Sequence, residues 1–223
     1  MADYLFLIPL LPLVAAFVNF LFGRNYIKSQ AHWIAAPAVF ASFVLSVLVF
    51  FDVRDKGEAI DQHIYTWIPS GSFQVDINLH VDQLTAIMLL VVSSVGFLVH
   101  LYSSGYMHGD SGYYRFFSYL PLFVFSMLML VLADNYLVIF IFWEGVGLCS
   151  YLLIGYYFKR RSASNAAKKA FIVNRIGDLG FGLAIMWTYS AFGTLKFFGD
   201  DGVFHMAASG DIPSRTLTGI SLL

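Results

Sequence analysis

Apolar runs long enough to cross about 30 Å of hydrocarbon recur along the chain, parted by short polar breaks. They predict helices at about residues 3–23, 31–51, 83–105, 113–133, 135–158 and 168–192. The fourth and fifth are separated only by Ala133, Asp134 and Asn135, a break that suits a tight turn between antiparallel helices. Pro9, Pro12, Pro37 and Pro121 fall in or near these runs. Membrane helices accept proline where neighbours satisfy the freed carbonyls.

One segment, 52–82, follows a different period. Phe73, Val75, Ile77, Leu79 and Val81 alternate with Gln74, Asp76, Asn78 and His80. Strict alternation predicts a half-buried strand. Residues 64–68, ahead of Pro69-Ser70-Gly71-Ser72, supply a partner strand, so the segment reads as a β-hairpin on the outer surface. Its expected role is structural, as a packing element between helices or subunits. After the sixth helix come Gly199-Asp200-Asp201-Gly202 and a mixed stretch to Pro213. Residues 217–223 resemble the opening of a seventh helix but are too few to span, so the chain reads as truncated there.

Composition agrees with a membrane solvent. Hydrophobic residues make up 59% and charged residues 12%, where a soluble domain carries about 25% charged. The expected fold is an all-α polytopic membrane protein: about six transmembrane helices and an extracytoplasmic hairpin in a single domain, 1–223. A net charge of −1 offers no footprint for nucleic acid. The single cysteine, Cys149, excludes a disulfide framework, a CxxC redox pair and a cysteine-ligated iron–sulfur cluster. The N-terminus lacks the basic region of a cleavable signal peptide.

Basic residues set the expected orientation. Lys159, Arg160 and Arg161, followed by Lys168 and Lys169, form the densest cluster and should face the cytoplasm. Alternation then places Arg24, Lys28 and Arg115 inside. The N-terminus, the 52–82 segment and the residues after 193 fall outside.

Against this background two acids stand out. Glu144 lies in the middle of the fifth run, where a charge costs roughly 2.5–3.5 kcal/mol on insertion scales. It must be solvated, paired or protonated. Trp143, Gly145 and Gly147 flank it, and Ser150 follows. Burial favours the protonated form of a carboxyl and a nearby cation favours the ionised form, so a movable cation could load and empty such a group. The purely structural alternative is a permanently protonated acid bonded between helices. Asp178 lies near the centre of the sixth run, with Asn174 and Arg175 at i−4 and i−3 on the same face. Arg175 and Asp178 could form a relay or simply a structural pair. Lys168 and Lys169 read as headgroup anchors. From Lys169 to Asp178 is roughly 13–14 Å of helix, too far for direct contact along it.

No redox or metal centre is expected in this chain. His100 falls well within a spanning run and His32 only at the edge of another, so no facing pair is expected to hold haem. GxGxxG, Walker and HExxH patterns are absent. Ion handling is the leading function.

The stretch WEGVGLCSYLLIGYYFKRRSASNAAKKAFIVNRIGDLGF, from Trp143 to Phe181, closely resembles the antiporter-like subunit L family of bacterial NADH–quinone oxidoreductase, the counterpart of mitochondrial NADH dehydrogenase subunit 5. INLHVDQLTAIMLLVVSSVGFLVHLYSSGYM and IPLLPLVAAFVNFLFG resemble the same family, so the similarity runs to about residue 200. It implies the proton-pumping membrane arm of respiratory complex I in a bacterial inner membrane. Glu144 then matches the glutamate of a glutamate–lysine pair, and Asp178 a helix-six aspartate with Arg175 beside it. The lysine is implied on a seventh helix. Partners would be other membrane-arm subunits and lipid. Flavin and iron–sulfur clusters would lie in partner subunits, with quinone engaged only indirectly. A subunit of an Mrp-type sodium/proton antiporter and a non-transporting packing or assembly element are the alternatives.

Overall fold

A computed structural model describes residues 4–71, 73–210 and 212–223. The predicted helix start at residue 3 and Ser72 of the hairpin turn lie outside the described residues. Among these, six helices are long and apolar enough to cross a membrane. They are α1 (Leu7–Phe22), α2 (His32–Lys56), α3 (Gln83–Tyr106), α4 (Tyr113–Leu132), α5 (Tyr136–Ile154) and α6 (Arg161–Phe192). A π turn, Gly23–Ile27, and a 3-10 turn, Lys28–Gln30, carry α1 onward. Gly23 is required there, because a Cβ would lie 2.8 Å from Cβ of Tyr114.

Several boundaries differ from the expectation, each for a local reason. α2 runs on to Lys56, held by an Asp52–Lys56 ion pair at 2.9 Å one turn apart. It stops at Gly57, whose φ of 70° suits the left-handed cap. α5 ends at Ile154 rather than 158, with Gly155 as its cap. α6 begins at Arg161 rather than 168. Its first two turns are polar and alanine-rich, and alanine and arginine favour a helix where the hydropathy is too low to signal a span. With 32 residues α6 is about 48 Å long, so it extends well beyond the hydrocarbon. Two short helices follow, α7 (Val203–Ser209) and α8 (Ser214–Leu222). α7 was not expected, and α8 begins three residues before the predicted 217.

α4 is the central helix and packs against α1, α3 and α5, while α2 lies against α1 and α3, and α6 against α5. Leu5, Ile8, Val39, Val53, Leu89, Leu128 and Leu132 form the apolar core. Small polar groups join the helices where a buried amide or hydroxyl must find a partner. Asn19 Nδ2 donates to the carbonyls of Ala31 at 3.1 Å and Phe117 at 2.8 Å, and Ser42 Oγ to that of Ile8 at 2.7 Å. Half of the apolar stretch of α4 is buried, but only 11% of that of α5 or α6. The last two helices therefore form the open side of the bundle.

The hairpin is present and longer than expected, with β1 (Ile60–Ser70) antiparallel to β2 (Phe73–Val81). The half-buried strand needs correction. Its apolar face packs on the core, yet Asp76 and His80 on the polar face are buried too. The segment after α6 covers them: Phe198 stacks on the His80 ring at 4.1 Å, and Lys196 Nζ lies 3.7 Å from Asp76 Oδ2.

The ends of the bundle are distinct. Gln62 Oε1 accepts from the Phe6 N–H at 2.9 Å, so the start of the chain meets the hairpin. The α4–α5 turn and the segment after α6 join them through bridges Leu79–Ala133 and Asn135–Lys196. The opposite end gathers the α1–α2, α3–α4 and α5–α6 connections. There Tyr113 Oη bonds His32 Nδ1 at 2.8 Å, and Tyr156 Oη donates to Asp110 Oδ1 at 2.7 Å. This grouping matches the expected alternation.

Candidate functional site

The α4–α5 interface aims Glu144. Gly145 lies so close to α4 that a Cβ there would meet Ser126 Oγ at 3.0 Å. Packing through this glycine leaves the neighbouring Trp143 and Glu144 to project past α4. Across from them α6 presents Arg175 and Asp178 one turn apart.

Arg175 Nη1 contacts Glu144 Oε2, and the same nitrogen lies 3.7 Å from Asp178 Oδ2. The two acids are largely covered, with side chains 21% and 10% exposed, and Arg175 is 42% exposed. The guanidinium also lies over the Phe171 ring, 4.6 Å from its centroid. Asp178 Oδ1 accepts a hydrogen bond from Trp143 Nε1 at 3.1 Å. The three predicted residues therefore form one cluster, but not as the spacing suggested. Arg175 engages Glu144 on the neighbouring helix more closely than Asp178 on its own. Lys168 and Lys169 are exposed. Among the described residues, the cation touching Glu144 is Arg175.

One arginine between two carboxylates compensates only one of them. The other must take up a proton, recruit water or attract another cation, since an isolated charge is costly in this medium. An open cavity of about 830 Å³ adjoins the cluster, with Tyr136, Trp143, Ser150, Asn174, Asp178 and Thr188 among its lining. These polar groups are spaced along a largely apolar wall. Trp143 was named in the sequence only as a neighbour of Glu144. Its bond to Asp178 depends on the pairing of two helices, which spacing along the chain does not encode.

The ends of α5 and α6 are fixed by polar contacts at the hairpin end. Asn135 caps α5, its Oδ1 accepting from the Val138 N–H at 2.9 Å. Its Nδ2 donates to the Asp76 carbonyl at 2.9 Å and to Asp134 Oδ1 at 2.7 Å. Asn78 Nδ2 reaches Asp134 Oδ2 at 2.8 Å. Burial pushes the Asp134 carboxyl above its usual range despite these donors. The Thr66 hydroxyl, donating to Asp76 at 2.6 Å, holds that carboxyl below its usual range. At the opposite end the Tyr156 hydroxyl does the same for Asp110.

Two family models match the chain. Residues 67–117 match "NADH-Ubiquinone oxidoreductase (complex I), chain 5 N-terminus". Residues 133–217, which include Glu144, Arg175 and Asp178, match "NADH:quinone oxidoreductase/Mrp antiporter, TM". The NADH-quinone oxidoreductase subunit L of Mycobacterium tuberculosis is 46% identical over 199 residues, covering 88% of this chain and 31% of that protein. That of Neisseria meningitidis serogroup B is 45% identical over 189 residues, 84% of this chain and 28% of its own length. The NAD(P)H-quinone oxidoreductase subunit 5 of the Paulinella chromatophora chromatophore is 40% identical over 99% of this chain and 34% of its own. The chain spans about a third of the length of these relatives. In fold it is similar to a chain of the Mrp complex from Dietzia, with a TM-score of 0.79 at 24% identity over 98% of this chain and 22% of that one. A chain of the archaeal membrane-bound sulfane sulfur reductase gives 0.79 at 20% identity, over 98% of this chain and 42% of that one. The chain belongs to the antiporter-like membrane-protein family that includes subunit L of NADH–quinone oxidoreductase.

Proposed function

We propose that this chain belongs to a proton-translocating subunit of an NADH:quinone oxidoreductase in a bacterial inner membrane. Its basic end, residues 155–169, faces the cytoplasm in this reading. The observation that carries it is the shared arginine: Glu144 and Asp178 lie within reach of one guanidinium inside two membrane-spanning helices. When Arg175 rests on Glu144, Asp178 is the acid free to accept a proton. When it moves to Asp178, Glu144 is freed. A proton can therefore change places without both acids being charged and unpaired at once.

The chain supplies acids and an arginine, so electron transfer is assigned to partner subunits that carry flavin and iron–sulfur clusters. Quinone reduction is assigned to a distant part of the complex. The other membrane-arm subunits and lipid are the partners of this chain. The likeness in fold to the Mrp complex keeps an Mrp-type cation/proton antiporter as the second reading. Co-purification with flavin-containing subunits distinguishes them.

The test is Glu144→Gln in the assembled complex, which keeps size and hydrogen bonding and removes the titrating group. NADH-driven proton pumping per electron in membrane vesicles falls sharply, and Glu144→Asp retains more. Wild-type pumping per electron in Glu144→Gln overturns the proposal.

A further inference from the structure

Arg175 is claimed by two acids through one nitrogen. At 3.7 Å its approach to Asp178 is an ion pair without a good hydrogen bond. Among the described residues, the side-chain hydrogen bond to Asp178 comes from Trp143, at 3.1 Å. An indole N–H is a donor that carries no charge and does not titrate. It can hold a carboxylate in place without neutralising it. Trp143 is 50% exposed, and the ring contact on its covered side steadies this donor. The Trp143 ring meets Phe181 edge-on, centroids 6.4 Å apart at 86°, and Phe181 also meets Phe140 at 5.5 Å.

We infer that Trp143 is a positioning residue for the charge cluster: its indole N–H holds Asp178 away from Arg175, so that Arg175 rests on Glu144. This inference rests on the proposed proton-translocating role of the cluster. Trp143 and Glu144 are adjacent on α5, so one helix presents both the donor for one acid and the other acid itself. Without the N–H, Asp178 must draw its hydrogen bond from Arg175. The 3.7 Å gap then closes and the guanidinium is pulled from Glu144. The identity of the acid without a cation is reversed.

The test uses the full subunit in its assembled complex, with tryptophan analogues of nearly unchanged shape. Benzothienylalanine at position 143 lacks the N–H, and 5-fluorotryptophan retains it. Loss of one hydrogen bond to a charged group corresponds to about a tenfold effect. The benzothienylalanine protein accordingly pumps about tenfold more slowly with a displaced pH profile, while the fluorotryptophan protein stays near wild type. In an Asp178→Asn background the two analogues give the same rate, because Trp143 acts through that carboxylate. A second readout does not depend on pumping. The ultraviolet resonance Raman N–H band of Trp143, identified by its loss in the benzothienylalanine protein, shifts in Asp178→Asn. An unshifted band, or wild-type rate and pH profile without the N–H, overturns the role of Trp143. If Glu144→Gln fails to pump in those same vesicles, the proposed function survives that result. If Glu144→Gln pumps normally, the proposed function and the role of Trp143 both fall.

Discussion

Arg175 on α6 makes its closest charged contact with Glu144 on α5, not with Asp178 one turn along its own helix. The predicted intrahelical pair is thus the weaker half of a three-member cluster that joins two helices.

This geometry predicts unequal effects of removing each charge. Arg175→Gln leaves two acids without a cation, and assembly on native gels falls. Glu144→Gln combined with Arg175→Gln restores much of it. Asp178→Asn assembles normally, because Arg175 keeps Glu144. Breaking a buried pair costs about 3–5 kcal/mol, and the 42% exposure of Arg175 places this one at or below the low end. Equal assembly defects in Asp178→Asn and Arg175→Gln would contradict the assignment.

Asn135→Ala removes the α5 cap and the amide link to the Asp76 carbonyl in one step. Both groups are buried, Asn135 being 2% exposed. The expected destabilisation is about 2–3 kcal/mol, read from equilibrium unfolding in detergent. A change below about 0.5 kcal/mol, typical of a neutral surface site, would show that the junction contributes little.

Asp134 and Asp76 give the same junction two opposed responses to pH. The folded Asp134 carboxyl is raised, so the folded state binds its proton more readily than the unfolded chain. Stability from this group rises as pH falls from neutral through the raised value. The folded Asp76 carboxyl is lowered, so its contribution is full above the unfolded value of 3.8 and disappears as pH falls through the lowered one. Unfolding followed against pH should therefore show a gain and then, in strong acid, a loss. Asp134→Asn flattens the gain, and Thr66→Val, which removes the largest cause of the Asp76 shift, weakens the loss. A pH profile unchanged by Asp134→Asn would exclude that carboxyl as the source of the gain.

Orientation can be read from one cysteine. Cys149 is buried and is first replaced by alanine. Ser164 sits half-buried in α6 beside Arg115 and Tyr156, so the exposed Ser162 in the first turn is the better position. Ser162→Cys should react with a membrane-impermeant maleimide in inside-out vesicles and stay unlabelled in intact spheroplasts. The reverse pattern inverts the orientation.

The spans were legible because hydropathy reports the solvent around a helix, and the hairpin because period two is a local signal. Hydropathy does not report helicity, so the polar first turns of α6 and the short α7 were missed. Glu144, Arg175 and Asp178 were visible because charge is rare in such runs. Their pairing was not, since Arg175 chooses between acids by the rotation of α5 against α6. Gly145, packed against Ser126, fixes only which face of α5 turns towards α4. The buried polar face of β2 was hidden for the same reason: Lys196 and Phe198, which cover it, lie far along the chain.

α5 and α6 are clamped at both ends. Near the hairpin the Tyr136 N–H donates to the Leu195 carbonyl at 3.1 Å and the Phe197 N–H to that of Asp134 at 2.9 Å. At the basic end a Cβ on Gly155 would lie 3.2 Å from that of Ala167, and the Tyr151 and Phe171 rings are 5.4 Å apart. These contacts hold the two helices in register at both ends, and moving Arg175 from one acid to the other needs only side-chain torsions. Exchange of the guanidinium between two carboxylates is then a swing across a few ångströms, the kind of step that takes picoseconds to nanoseconds where helix displacement takes microseconds or longer. Under the proposed function, the two helices would remain still through the cycle, and the arrival of a proton would set its pace.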